Sequence, residues 1–159
     1  MRKFFTLLFL SFYLIAAEDP FMAKTNKCIN EKDTDSCNEV ANLIILDFKN
    51  GQIQKEYVEL MLGSIVRMLE ISCNENNSSV GCNMLGLIFT GDINFLPPII
   101  KNDNLSFNYL SKACLLNSGH ACFMVGIKNE NNKDISLPFF KKGCELGTTE
   151  SCQKLKTNN

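Results

Sequence analysis

The sequence predicts an all-α fold, a solenoid of antiparallel helix pairs each stapled by a disulfide, and three observations on the 159-residue chain predict it. Its eight cysteines fall into four brackets of near-constant width. The residues flanking those brackets repeat. Between brackets, apolar residues recur at helical rather than strand spacing.

The chain opens with "MRKFFTLLFLSFYLIAAEDP". Arg2 and Lys3 form a positive start, Phe4 to Ile15 an apolar run, and Ala16-Ala17 the small residues before an acidic, proline-containing segment. This reads as a signal peptide over residues 1–17, followed by one repeat domain over 18–159. The apolar run is short for a bilayer core of about 30 Å, so no stable membrane span is expected once the leader is removed. The destination it implies is the periplasm or the medium. Removing Arg2 and Lys3 takes the formal charge from −1 to −3, which leaves no basic stripe for nucleic acid.

An even number of cysteines in an exported chain reads as disulfides. No two cysteines lie closer than eight positions and His120 is the single histidine, so the close-spaced donor pairs of structural zinc are missing. Neither metal nor cofactor is expected. Cys28 brackets with Cys37 and Cys73 with Cys82, nine apart; Cys114 brackets with Cys122 and Cys144 with Cys152, eight apart. Eight cysteines allow 105 pairings in general, and a repeat singles out the one made of these brackets.

The flanks carry the repeat. After each second cysteine an apolar residue stands third and, in three units, a small one fourth: Val40-Ala41, Leu85-Gly86, Val125-Gly126, with Leu155-Lys156 following the first half only. Before the last three brackets stands a bulky pair, Met68-Leu69, Tyr109-Leu110 and Phe139-Phe140. A small residue, Ser72, Ala113 or Gly143, directly precedes the first cysteine of each.

Helices account for the segments between. In "NLSFNYLSKAC" Leu105, Tyr109 and Ala113 share one face, with Asp103 or Asn104 as the expected N-cap. Asp134 is the expected cap of "DISLPFFKKGC", with Pro138 near its first turn. "QIQKEYVELMLGSIVRMLEISC" reads as one longer amphipathic helix around Gly63. The helices after Cys37 and Cys82 stop at Gly51 and Gly91. "GDINFLPPIIKND" (91–103) is an insertion that Pro97-Pro98 turns into a projecting loop. Closing a loop of about nine residues by a disulfide is worth roughly 2.5 kcal/mol in the chain-entropy model, which compensates the thin core of a helical hairpin.

The bracket "YLSKACLLNSGHACFMVG" (109–126), with "FFKKGCELGTTESCQKL" (139–155) and "MLEISCNENNSSVGCNMLG" (68–86) as weaker copies, resembles the Sel1-like repeat in its disulfide-bonded form. That form is typical of the Helicobacter cysteine-rich protein family and its Campylobacter relatives. The uneven spacing of second cysteines, 45, 40 and then 30, departs from a regular superhelix. The resemblance implies two functions. Sel1-like, TPR-like solenoids bind a protein or peptide partner on a concave helical surface. The cysteine-rich branch is described as penicillin-binding or β-lactamase-like, acting on a β-lactam or a cell-wall peptide.

For the second function the residues offer little. Ser151 and Lys154 stand in S-x-x-K spacing, and Ser106 with Asn108 in S-x-N spacing, yet one S-x-x-K is expected by chance and no K-T-G strand follows. His120 reads as a solvated loop residue, and the acids of "EKDTD" (31–35) as a solvated turn. Glu75-Asn76-Asn77-Ser78-Ser79 fits an acidic N-glycosylation sequon with Asn77 as acceptor, a match an Asn-rich chain also makes by coincidence. The expected function is partner binding, with a weak β-lactam hydrolase as the alternative.

Overall fold

The computed structural model describes residues 19–97 and 101–157; the segment 1–17 expected to be a signal peptide, and Pro98, lie outside them. Among the described residues there is no strand. The described residues hold eight α-helices that form four hairpins in chain order: α1 (Pro20–Asn26) with α2 (Thr34–Lys49), α3 (Val58–Glu70) with α4 (Ser79–Thr90), α5 (Asp103–Leu115) with α6 (Gly119–Lys128), and α7 (Lys133–Glu145) with α8 (Thr149–Thr157). Each helix packs chiefly on its neighbours in the chain, the arrangement of a solenoid. The most extensive packing lies between hairpins, α4 on α5 and α6 on α7, rather than within them.

The repeat in the flanks explains that packing. The fourth residue after a second cysteine lies under the fourth residue before the next first cysteine. A Cβ added at Gly86 would stand 2.5 Å from Leu110 Cγ, and one at Gly126 would stand 2.5 Å from the Phe140 ring. Ala41 and Leu69 hold the corresponding places in the first two hairpins, both fully buried. A small residue on one hairpin therefore receives a bulky one from the next. Phe89 of α4 stacks on Tyr109 of α5 in the first of these seams, with ring centroids 5.8 Å apart, and Phe107 of α5 meets Phe139 of α7 edge-on at 6.3 Å.

Several local expectations need correction. The caps are Asn102, whose side chain accepts from Leu105 N–H, and Asn132, not Asp103 or Asn104 and Asp134. Asn and Asp cap equally well, so adjacent candidates are not separated by type. The long segment before Cys73 is not one helix from Gln52: a 3₁₀ turn at Lys55–Tyr57 leads into α3. Pro138 is the sixth residue of α7, inside the helix rather than at its first turn. The Asp134 carbonyl consequently lacks its usual i+4 donor. The 91–103 insertion does not simply project. Leu96 is buried and Ile93 packs against the core, while Asn102 N–H bonds back to Phe89 O at 2.9 Å. The stops are as expected, with Gly51 at φ +68° and Gly91 at φ +72°.

Candidate functional site

All four bracket pairs are disulfides, Cys28–Cys37, Cys73–Cys82, Cys114–Cys122 and Cys144–Cys152, with Cα atoms 4.6–4.7 Å apart. That separation lies within the range a disulfide requires. In two brackets the residues just before the two cysteines touch each other. Gly81 lies against Ser72, whose Oγ stands 2.4 Å from where a glycine Cβ would be, and Gly143 lies against Ser151 in the same way. Ala113 and Ala121 hold these places in the third hairpin, both fully buried.

The turns are built alike despite their two lengths. In every bracket the residue four places before the second cysteine donates its N–H to the carbonyl just before the first: Asp33 to Lys27 at 3.3 Å, Ser78 to Ser72 at 3.0 Å, Ser118 to Ala113 and Thr148 to Gly143 at 2.9 Å. The residue preceding that donor is left-handed in each turn: Lys32, Asn77, Asn117 and Gly147. The side chains of Asp33, Ser78 and Ser118 then cap α2, α4 and α6. Brackets of eight form a Schellman-type end. Brackets of nine fit their extra residue by ending the first helix in a π-helical turn, Lys27–Glu31 and Ile71–Glu75.

This arrangement locates each sequence candidate. Ser151 is fully buried against Gly143, and its hydroxyl has no hydrogen-bond partner. Lys154 sends its ammonium to Glu130 Oε1 at 2.6 Å on the surface. No hydrogen bond joins the two, and Ser151 is packed as a small residue must be. Ser106 is buried while Asn108 is exposed, so the S-x-N pair is split across α5. His120 is exposed in the first turn of α6 rather than in a loop, with Nδ1 3.4 Å from Asn83 Oδ1. Asn77 is exposed at φ +52°, the left-handed position every bracket needs. Of the "EKDTD" acids, Asp33 has a structural task. Hydrogen bonds from the Ser36 hydroxyl and then the Ser36 N–H hold its carboxyl below the usual aspartate value of 3.8.

The basic residue two places before Cys114 and Cys144 proves to be a link between hairpins. Lys112 Nζ donates to Cys73 O at 2.9 Å and to Asn74 Oδ1 at 3.3 Å; Lys142 Nζ donates to Leu115 O at 3.5 Å. Each caps the C-terminal end of the preceding odd-numbered helix, where the helix dipole favours a cation. Three large apolar side chains of the odd-numbered helices are exposed: Leu60 in the first turn of α3, and Leu105 and Leu115 near the two ends of α5. Leu60 and Leu115, at 63% and 72%, are the most exposed large apolar side chains among the described residues.

The lysine links and the role of Ser151 were not foreseen. A signal for Ser151 existed: Ser36, Gly81, Ala121 and Ser151 precede the four second cysteines, and all are small. Among the described residues no group of three or more His, Cys, Asp or Glu side chains is placed to hold a metal ion. No described helix is long and apolar enough to cross a membrane. Four disulfides fit an oxidising compartment. No protein-family model matches the chain, and no curated protein does.

Proposed function

We propose that this chain is a Sel1-like-repeat scaffold of the periplasm or the medium that binds a protein or peptide partner along the exposed face of its odd-numbered helices. The observation that carries the reading is the pair Leu60 and Leu115. Both are large, apolar and mostly exposed, on successive odd-numbered helices of a stacked-hairpin fold. Side chains of this kind on a rigid helical row are what a partner's apolar residues would anchor to. The row itself is held by interlocking small and bulky residues and by four disulfides, so the face is preorganised.

Site-specific photo-crosslinking in the native cell envelope tests this. A crosslinker at Leu115 should capture one defined partner, one at the exposed Leu43 of α2 should not, and Leu60→Glu should abolish capture at position 115. Capture from both positions alike, or capture indifferent to Leu60→Glu, would reject the face as the binding surface. A stable penicillin adduct lost in Ser151→Ala would replace the reading with the hydrolase.

A further inference from the structure

The four disulfides are not equally protected. Cys28, Cys37, Cys73, Cys82, Cys114 and Cys122 are at most 1% exposed. Cys144 and Cys152 are both only half-buried. Thiol–disulfide exchange needs a thiolate to approach the sulfur in line, so access decides which bond reacts.

We propose that Cys144–Cys152 is a thiol-exchange site and that its opening releases α8. An external thiolate, from a low-molecular-weight thiol or a dithiol protein, attacks Cys144 Sγ. A mixed disulfide forms, the Cys144–Cys152 bond breaks, and its electron pair leaves on Cys152. A second external thiol then attacks the mixed disulfide. The net change is two thiols on the protein and one external disulfide, with the electrons supplied by the external thiols. Cys152 is the better leaving group because it sits in the first turn of α8, where the helix N-terminus favours an anion.

The consequence differs for the two helices of this hairpin. α7 stays in place, since Phe140 is fully buried over Gly126 and Lys142 links to Leu115. α8 has nine residues and one buried side chain, Ser151, and its Lys154–Glu130 ion pair is on the surface, where such pairs contribute little. A helix that short is marginal in water without a tether. Its departure uncovers Phe123 of α6, which lines a groove with Glu150, Gln153, Lys154 and Thr157. The exchange site is thereby coupled to exposure of an aromatic surface.

The experiment is a reductant titration of the oxidised full chain with glutathione and, separately, dithiothreitol, quenched by alkylation and followed by peptide mapping. Cys144 and Cys152 should be alkylated first, about tenfold or more faster than the other six, with far-UV helicity falling by no more than one short helix. Simultaneous labelling of all eight cysteines, or another pair reacting first, would overturn the proposal. A Cys144→Ser/Cys152→Ser variant gives a second reading. It should keep the other six cysteines resistant and expose Phe123 to a hydrophobic dye without any reductant. Loss of protection at the other three pairs, or no added dye binding, would also overturn it.

Discussion

Two glycines in helix interiors, Gly86 of α4 and Gly63 of α3, should respond to alanine with opposite signs. Alanine is the better helix former by about 1 kcal/mol, so without tertiary contacts both changes would stabilise. At Gly63 nothing lies within 4 Å of the added Cβ, and the full gain of about 1 kcal/mol is expected. At Gly86 the Cβ would stand 2.5 Å from Leu110 Cγ, 2.7 Å from Leu110 Cδ2 and 2.9 Å from Leu110 N. Unstrained carbon contacts are about 3.5–4.0 Å, so the overlap is about 1 Å. Leu110 is fully buried and cannot swing aside, and its backbone nitrogen moves only if α5 moves off α4. Overpacking of this kind costs about 1–3 kcal/mol, which outweighs the propensity gain. The net expectation for Gly86→Ala is a loss of about 1–2 kcal/mol. Thermal unfolding of the oxidised protein by circular dichroism measures both. At about 2–4 °C per kcal/mol for a chain near this size, the two variants should melt several degrees apart, on either side of the parent. Adding Leu110→Ala to Gly86→Ala should cost less than the two single changes together, because the clash and the cavity fill each other. Two alanine variants shifting in the same direction, or additive costs in the double variant, would refute the seam as the source of inter-hairpin stability.

Further expectations follow from the same geometry. Lys112→Met should cost about 1–2 kcal/mol in denaturant unfolding, since it strips a partly buried charged hydrogen bond from Cys73 O, and Lys142→Met at its longer, exposed contact should cost less; the reverse order would contradict the link. Ser151→Ala should leave stability unchanged or raise it, as it removes a buried hydroxyl with no partner, and should not alter behaviour towards a penicillin in intact-mass spectrometry. Asp33 has a depressed carboxyl, so its stabilising share is present above pH about 4 and is lost as pH falls through its folded value. Compared with Asp33→Asn, which still caps but does not titrate, the parent's advantage should shrink on acidification below pH about 4; a growing advantage in stability scans would show the sign to be wrong.

The hairpins, the disulfide pairing and the repeated small and bulky flanks were legible because they repeat, and repetition separates a rule from coincidence; that the small residues receive the bulky ones came from the packing. Val40-Ala41, Leu85-Gly86 and Val125-Gly126 announce one face, and Leu69, Leu110 and Phe140 its complement. Features occurring once were harder. Asn102 caps α5, and Asn132 stands at the N-cap position of α7 without a side-chain hydrogen bond, instead of nearby acids, because cap preference does not separate adjacent Asn and Asp. Pro138 lies deeper in its helix than proline's preference suggests, since packing of Phe140 on Gly126 outweighs one lost hydrogen bond. Leu96 anchors an insertion that its prolines made look like a free loop. Ser151 and Lys154 match a catalytic spacing as a string. The helix separates them, because a residue facing the partner helix and one three places on need not share an environment.

The π-helical turns at Lys27–Glu31 and Ile71–Glu75 give the chain a place where its length can change freely. Adding or removing one residue inside an ordinary helix rotates everything beyond it by about 100° and turns its buried stripe towards solvent. In these two hairpins the additional residue widens a single turn, while the left-handed residue, the cap and the second cysteine keep their relative places. An extra residue taken up there leaves the register of the following helix unchanged, so brackets of eight and nine share one three-dimensional joint. A comparison that scores residues column by column loses alignment at the very point where the fold has kept it.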